Sequence, residues 1–383
     1  MKAILVLQDG TTFEGEAIGA PGTTFGETVF STSMTGYQEM LTDPSFAGQL
    51  LTLTYPLIGN YGVTPADYES SKVQVNGFIV RELCEVPSNW RSGKSLQEFL
   101  AENDVVGLQG IDTRALTRRL RVSGVMMGAI STEYNRDELL DRLAQAPNYS
   151  QIDFVRRVTA PGKYVWEGDM GSKEAEKGKA AGELYANNLA TREKRPQIDI
   201  ALVDCGVKRN IMRNLAALNC RITVFPCDAS ADEILDVDPD GVVISPGPGD
   251  PALLGYMIDN VKQLVGKKPI LGICLGNQLL GWAFGGRTYK LKFGHRGGNH
   301  PVKDFRTGRV YITSQNHGYA VDAESLDPKS GMEVAHTNMN DGTVEGMRHR
   351  ELPIFSIQYH PEASPGPRDS GYLFNEFFES VSK

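Results

Sequence analysis

The sequence predicts an α/β protein in which a C-terminal doubly wound, mostly parallel sheet is separate from a strand-rich, mixed α/β N-terminal domain. After residue 197, near-continuous apolar strands alternate with helices, which is typical of a parallel sheet covered on both faces. Before about residue 65, glycine and threonine are dense among short β-like runs, and helix signals come later. The predicted divisions are an N-terminal domain over 1–150, a connector over 151–196 and a C-terminal domain over 197–383.

The N-terminal domain begins with a predicted β-hairpin over residues 2–18. The apolar run AILVL is followed by a turn at Asp9 and Gly10 and then by the alternating run TFEGEAI. A further short strand is predicted in QLLTLTYP. Cap signals then predict two helices, one after Ser95, where S-x-x-E forms a capping pattern, and one after Asp112. A third helix is predicted over 136–146, ending before Pro147.

The C-terminal domain follows a polar, charged segment that is poor in large aliphatic side chains, which is why we predict a connector there. The predicted order is strand IDIALVDC, helix KRNIMRNLAAL, strand RITVFP, short helix ADEILD, strand GVVIS, strand PILGIC and helix LGNQLLGWAF. Four strands (RVYITS, GMEVAHTN, TVEGMRH and PIFSIQYH) precede a C-terminal helix near DSGYLFNEFFESV. His295 and His300 fall in a predicted structured loop, and His336 and His349 in strands.

Composition excludes several classes of protein. The 383 residues carry a net charge of -8, so no basic surface is expected for nucleic acid or an anionic membrane. The five cysteines are widely spread and form no CxxC pair, which favours reduced thiols. The N-terminal apolar run is too short for a signal peptide or a membrane span. We therefore predict a cytoplasmic protein with no nucleic-acid or membrane partner.

Two glycine-containing stretches resemble phosphate-binding loops but do not meet their requirements. Gly93-Lys94-Ser95 would need a glycine at position 88, where the chain has Ser88. The run GPGDPA, which begins at Gly247, fits G-x-G-x-x-A, but its two prolines remove backbone donors that a pyrophosphate needs. Nucleotide binding is therefore disfavoured at both places.

One cysteine, Cys274, lies between Gly272 and Gly276 at a predicted strand-to-helix junction. G-x-C-x-G is the thiol counterpart of the G-x-S-x-G nucleophile elbow, whose glycines remove Cβ atoms that would collide in the turn. The helix that begins at Leu275 would direct free N–H groups toward the sulfur, which favours a thiolate. The pentapeptide alone is equally compatible with a buried core cysteine.

A cysteine nucleophile needs a base, and His360 is the candidate. It follows the predicted strand PIFSIQ, where side chains of a doubly wound sheet reach the crevice. Glu362 is close enough in sequence to orient the imidazole, as the third member of a triad does. No pair of histidines has the spacing of a metal site, so we predict no metal.

With these residues in place, the sequence resembles the class I glutamine amidotransferases and, among them, the small subunits of carbamoyl-phosphate synthetases. The stretches that carry the resemblance span both domains: GETVFSTSMTGYQEMLTDPSFAGQLLTLTYPLIGNYG, VDCGVKRNI, SPGPGDP, KFGHRGGNHPV, SQNHGYAVD and HPEASPGP. Other class I amidotransferases share only the C-terminal module. The resemblance implies a flavodoxin-like C-terminal fold and an N-terminal domain that docks the synthetase.

The resemblance implies a mechanism and a set of site residues. Cys274 would attack the side-chain carboxamide of glutamine and form a thioester, while His360 transfers the proton and Glu362 fixes the ring. Backbone N–H groups of Gly247 and Leu275 would hold the oxyanion. The remaining residues that would line the glutamine site are Ser45, Gly249, Gln278, Asn316, Gly318 and Tyr319, of which Ser45 would come from the N-terminal domain.

The resemblance also implies a partner. Ammonia would pass through a tunnel to a large subunit that binds ATP and magnesium and makes carbamoyl phosphate from bicarbonate, for pyrimidine or arginine synthesis or both. This chain would need no cofactor. One departure stands out: the family pattern after the elbow commonly reads G-H-Q, whereas this chain has Asn277 at the second position.

Two alternatives remain. The chain could be the amidotransferase subunit of another pathway, such as anthranilate or aminodeoxychorismate synthesis, although those proteins lack the N-terminal domain. It could also be a non-catalytic subunit that only regulates the synthetase. Intact Cys274, His360 and Glu362 argue against that second alternative, and Asn277 is the only feature that favours it.

Overall fold

A computed structural model describes residues 1–168 and 195–382, and the chain divides into two units, Met1–Ile152 and Asp153–Lys383. Part of the predicted connector, residues 169–194, lies outside the described residues. Its residues 153–168 belong to the second unit. Within the described ranges, no helix is long and apolar enough to cross a membrane.

Seven strands of the first unit close into a barrel, in the order β1-β2-β8-β6-β4-β3-β9. The strands of this unit are β1 (Lys2–Leu7), β2 (Thr12–Gly19), β3 (Thr23–Ser31), β4 (Gln49–Leu53), β5 (Leu57–Ile58), β6 (Gly77–Ile79), β7 (Glu82–Leu83), β8 (Val106–Gln109) and β9 (Met126–Ser131). The predicted hairpin and the strand in QLLTLTYP are confirmed as β1 with β2 and as β4.

Four helices accompany the barrel: α1 (Tyr37–Thr42), α2 (Leu96–Glu102), α3 (Thr113–Ser123) and α4 (Arg136–Gln145). The three predicted helices are confirmed as α2, α3 and α4. Ser95 and Glu98 form the expected capping box at α2, and the Asp112 side chain accepts a hydrogen bond from the Ala115 N–H at α3. Polar side chains at the first turn therefore set where these helices begin.

In the part of the second unit that the structure describes, ten strands form one sheet, in the order β10-β12-β11-β13-β14-β19-β18-β17-β15-β16. Its strands are β10 (Tyr164–Val165), β11 (Ile198–Asp204), β12 (Cys220–Pro226), β13 (Gly241–Ile244), β14 (Ile270–Ile273), β15 (Arg287–Asp304), β16 (Val310–Asp322), β17 (Met332–Asn338), β18 (Val344–His349) and β19 (Ile354–Ile357). Strands β12, β11, β13, β14 and β19 are parallel neighbours. This is the 2-1-3-4-5 order of flavodoxin-like sheets, as predicted.

Helices cover both faces of the parallel strands. Among the described residues of this unit, the helices are α5 (Val155–Val158), α6 (Arg209–Ala217), α7 (Ala231–Leu235), α8 (Gly255–Leu264), α9 (Leu275–Ala283) and α10 (Tyr372–Val381). Apolar side chains of α7, α8 and α9 pack with Ala201 and Val203 on one face. Those of α6 and α10 pack with Ile200 and Leu202 on the other. The alternation along β11 therefore produces two cores, one on each side of the sheet.

The prediction of a structured loop around His295 and His300 is wrong. The predicted structured loop is part of the long strand β15, which pairs with β16. Register shifts interrupt the pairing between Lys290 and His295 and again between Gly297 and His300. Glycine tolerates the positive φ that such irregular strand geometry requires, and Gly297 has a φ of 152°. The glycines mark bulges in a strand rather than a loop.

Candidate active site

Cys274 occupies a strained junction between β14 and α9. Its backbone has φ 53° and ψ -99°, a conformation that non-glycine residues rarely adopt. A Cβ on Gly276 would lie 2.3 Å from the Ile244 carbonyl oxygen, and one on Gly272 would lie 2.6 Å from the Gly276 carbonyl oxygen. Both glycines are therefore required for clearance, which confirms the steric reason predicted for the pattern.

The helix that follows Cys274 supplies favourable electrostatics for a thiolate. Cys274 is the N-cap of α9, so the unpaired N–H groups of the first turn and the positive end of the helix dipole lie beside it. Cys274 is 2% exposed, so water screens this field poorly. A buried sulfur at this place can act as a nucleophile, and the free N–H groups beside it can bind an oxyanion.

His360 follows β19, the parallel neighbour of β14, and this adjacency brings the ring beside Cys274. The His360 backbone N–H donates to the Ser314 carbonyl oxygen at 2.9 Å. The ring Nδ1 lies 2.7 Å from Glu362 Oε1. Because a carboxylate only accepts, Nδ1 carries a proton and Nε2 is the atom available to take the thiol proton.

A buried chain of charges fixes the state of this histidine. Lys208, which follows β11, places its Nζ 3.1 Å from Glu362 Oε1, and both side chains are buried. Burial disfavours the carboxylate, but Lys208 and His360 lower the pKa of Glu362 to about 2. Burial also disfavours the imidazolium, but the Glu362 carboxylate and the Cys274 sulfur raise the pKa of His360 to about 10. The arrangement favours an imidazolium beside the sulfur.

The loop after β13 packs against the elbow. A Cβ on Gly247 would lie 2.3 Å from the Cys205 carbonyl oxygen and 2.8 Å from the Leu275 side chain, so only glycine fits there. Gly249 has a φ of 96°, which also favours glycine. The structure therefore brings Gly247 and Leu275, the two predicted oxyanion donors, to the carboxyl ends of β13 and β14.

Strand β16 passes close to the sulfur. Cys274 Sγ is 3.7 Å from the Asn316 carbonyl oxygen. Gln278, one turn into α9, donates from Nε2 to the Tyr319 carbonyl oxygen at 2.9 Å. Gly318 lies between Asn316 and Tyr319 on β16 and packs beside Arg296. Strand β16 and the first turn of α9 thus bring four of the predicted glutamine-site residues (Gln278, Asn316, Gly318 and Tyr319) into one region of the unit.

Ser45 belongs to the first unit and lies in a short 3₁₀ turn, Pro44–Phe46. Its backbone N–H donates to Asp43 Oδ1 at 2.9 Å. The side chain is 6% exposed, and its Oγ makes no hydrogen bond among the described residues. Its predicted place beside the substrate stays a prediction.

Two residues near the triad were not selected from the sequence. Lys208 carries no signal of its own, since a lysine after a strand is ordinarily exposed. Gln358 lies two residues before His360 and donates from Nε2 to Cys274 Sγ at 3.6 Å. The sequence position of Gln358 could have indicated its role. Gln358 and His360 are two residues apart just after β19, and alternate side chains of an extended segment share a face.

One cluster of the described residues could in principle hold a metal ion. Ligand atoms of His295, His317 and Glu345 all lie within 4.8 Å of one another, and the three side chains are buried. Both ring nitrogens of His317 already face oxygens, those of the Tyr319 carbonyl and Gln315 Oε1. The cluster is therefore occupied by hydrogen bonds, and the absence of a metal stays a prediction.

Family comparisons match the two parts of the chain separately. Residues 201–380 match the family described as glutamine amidotransferase class-I. Residues 5–130 match the family described as carbamoyl-phosphate synthase small chain, CPSase domain. The first range contains the elbow, His360 and Glu362, and the second contains the barrel strands.

Several curated proteins are similar over their full length. The carbamoyl phosphate synthase small chain of Syntrophotalea carbinolica is 50% identical over 385 residues, covering 100% of this chain and 98% of that protein. The protein of the same name from Clostridium perfringens is 50% identical over 380 residues, covering 99% of each chain. That from Archaeoglobus fulgidus is 48% identical over 382 residues, covering 100% of this chain and 99% of its own.

Proposed function

The chain belongs to the carbamoyl-phosphate synthase small-chain family, and from that premise we propose that Cys274, His360 and Glu362 hydrolyse glutamine to glutamate and ammonia. The observation that carries the proposal is the buried chain from Lys208 through Glu362 to His360, whose Nε2 makes no hydrogen bond among the described residues and whose ring interacts electrostatically with the Cys274 sulfur at the elbow. It supplies a nucleophile, a proton carrier and an orienting carboxylate in one site.

In the first step, the Cys274 thiolate attacks the carboxamide carbon of glutamine. A C–S bond forms, and the carbonyl π electrons move to oxygen. His360 then gives its proton to the amide nitrogen, the C–N bond breaks, and ammonia leaves the thioester. Glu362 holds Nδ1 throughout, so that Nε2 remains the atom that carries this proton.

Backbone N–H groups of Gly247 and Leu275 hold the oxyanion in this proposal. The packing of Gly247 against the Leu275 side chain supports it, because both residues lie at the carboxyl edge of the sheet beside Cys274. Removal of one such donor typically costs about 3–4 kcal/mol of transition-state stabilisation.

In the second step, water attacks the thioester carbon. His360 takes one proton from that water, the C–S bond breaks, and glutamate leaves. The sulfur departs as a thiolate beside the imidazolium, which restores the starting pair. No redox change occurs in either step, and we propose that this chain uses no cofactor.

We propose that the ammonia passes to a large ATP- and magnesium-dependent subunit, which makes carbamoyl phosphate from bicarbonate for pyrimidine or arginine synthesis or both. The match of residues 5–130 to the small-chain CPSase domain supports a heteromeric enzyme. We also propose a cytoplasmic location, which the five free thiols favour.

The alternative of an amidotransferase for another pathway loses support from that same match, because it covers the N-terminal domain that such proteins lack. The alternative of a purely regulatory subunit is disfavoured by the presence of Cys274 at the elbow and by the contact between His360 and Glu362.

Trapping the thioester tests the proposed chemistry. The chain with its large subunit is mixed with glutamine, quenched in acid and analysed by mass spectrometry. We expect a glutamyl adduct on the peptide that contains Cys274 and none on that peptide in Cys274→Ser. An adduct at a different cysteine, or glutamate release by Cys274→Ser at the wild-type rate, would refute the assignment.

A further inference from the structure

The Gln358 side chain is a polar group that touches the reacting sulfur and has no part in the proposed steps. It is completely buried, and its Nε2 donates to Cys274 Sγ at 3.6 Å. Its Oε1 accepts from Gln278 Nε2 at 3.2 Å and from Asn277 Nδ2 at 3.0 Å. Every polar atom of this amide therefore faces a named partner.

The partners determine which end of the amide faces the sulfur. The Tyr319 carbonyl oxygen can only accept, so the Gln278 atom that faces it must be the NH₂ group. The same NH₂ group faces Gln358, so the facing atom of Gln358 must be oxygen. The opposite end of the Gln358 amide is then an N–H donor, and it is directed at Cys274.

Asn277 holds the same orientation from a second side. Its Oδ1 accepts from the Ser356 hydroxyl at 2.8 Å, and its Nδ2 donates to Gln358 Oε1. The Asn277 side chain is completely buried, so an unpaired amide there would cost free energy. This contact pattern gives the departure from G-H-Q a structural role: Asn277 ties the first turn of α9 to two residues at the end of β19.

The donor from Gln358 and the carbonyl of Asn316 act on different states of the sulfur. A thiol can donate to the Asn316 carbonyl oxygen, which lies 3.7 Å away. A thiolate cannot donate, and it is stabilised by N–H groups directed at it. The His360 ring interacts electrostatically with the sulfur, with Glu362 and Lys208 behind it.

We propose that Gln358 is a further catalytic residue, whose side-chain N–H stabilises the Cys274 thiolate as the attacking and the leaving group, and that Asn277 and Gln278 are the positioning residues that fix its amide. The role in catalysis rests on the proposed glutamine hydrolysis. The contact between Gln358 and the Cys274 sulfur can be tested separately, because it predicts the reactivity of Cys274 without any turnover of glutamine.

The experiment measures alkylation of Cys274 by iodoacetamide in the full-length chain, followed on the Cys274 peptide by mass spectrometry across a range of pH. Methionine has nearly the length of glutamine and no N–H. In Gln358→Met we expect alkylation near neutral pH to slow about tenfold, the effect of one hydrogen bond to a charged group. We also expect the rate profile to move to higher pH.

The control is Gln315→Met, the same substitution at another buried glutamine, which contacts Glu345 and not the sulfur. It should keep the wild-type alkylation profile. If Gln358→Met does not fold, Asn277→Asp serves instead, because it keeps Gln358 and replaces the donor to Oε1 by an oxygen. It should slow alkylation in the same direction.

An unchanged alkylation profile in the folded Gln358→Met or Asn277→Asp variant would overturn the inference, and so would an equal loss in Gln315→Met. Glutamate release by the unsubstituted chain with its large subunit is measured in parallel. Its absence would count against the proposed function, whereas normal release with unchanged alkylation would count against Gln358 alone.

Discussion

The ion pair between Lys208 and Glu362 is enclosed by protein, with side-chain exposures of 2% and 0%. Removal of one partner from such a pair leaves an uncompensated buried charge, which typically destabilises a protein by about 3–5 kcal/mol. In Lys208→Met we therefore expect a loss of this size in the free energy of unfolding. Glutamate release should fall as well, because burial without Lys208 favours the neutral form of Glu362, which no longer stabilises the His360 imidazolium.

Chemical denaturation measures this loss, and Lys262→Met is its control. Lys262 pairs with Asp259 on the exposed face of α8, where an ion pair contributes less than about 1 kcal/mol. Equal destabilisation by the two variants would show that burial does not increase the contribution of the Lys208–Glu362 pair to the free energy of unfolding.

The same groups contribute to the pH dependence of stability. The raised pKa of His360, about 10, means that its contribution is complete below its ordinary pKa of 6.5 and is lost as pH rises toward 10. The lowered pKa of Glu362, about 2, means that its contribution is complete above 4.5 and is lost as pH falls toward 2. We expect the free energy of unfolding to fall between pH 6.5 and 10, and less steeply in His360→Gln.

Denaturation curves across that range measure the slope for each variant. His349→Gln is the control, because it removes a histidine on β18 and leaves the triad intact. A His360→Gln slope equal to that of the wild type would contradict the buried charge arrangement.

At the scale of elements, the elbow depends on close contact between β13 and α9. The Cβ of an alanine at position 276 would lie 2.3 Å from the Ile244 carbonyl oxygen, so the strand or the helix must move. We expect Gly276→Ala to lose about 1–3 kcal/mol of stability, as overpacked cores do, and most of its glutamate release. Thermal unfolding and a glutaminase assay measure the two effects.

Gly255→Ala is the matched control, because Gly255 begins α8 and nothing lies within 4 Å of its added Cβ. Alanine favours helix over glycine there, so stability should hold or rise. Wild-type activity in Gly276→Ala would show that the second glycine is not needed for clearance.

The sequence predicts those elements whose local signals agree with their final packing. The capping box at Ser95 and the continuous apolar run of β11 each need only neighbouring residues, so α2 and β11 appear where the pattern places them. The same approach does not predict strand β15, because its glycines indicate a loop when the pairing with β16 is not known. Lys208 and Gln358 were missed for a related reason: each acquires its role only through partners distant in sequence.

At the scale of the whole molecule, the predicted division into a strand-rich N-terminal part and a doubly wound C-terminal part agrees in kind with the two units. Closure of the N-terminal barrel was not predicted, because it depends on non-local pairs such as β3 with β4 and β6 with β8, which are parallel and separated by long connections. The triad was predicted from Cys274 and His360 because each follows a parallel strand, and parallel neighbours bring their carboxyl ends together.

The most direct test of the account uses the complex of this chain with its large subunit and measures carbamoyl phosphate made from glutamine or from ammonium. In Cys274→Ser we expect glutamine-dependent synthesis to be lost and ammonium-dependent synthesis to persist. Cys84→Ser, which changes a partly exposed thiol in the first unit, should keep both. Glutamine-dependent synthesis by Cys274→Ser at the wild-type rate would contradict the claim that Cys274 supplies the ammonia.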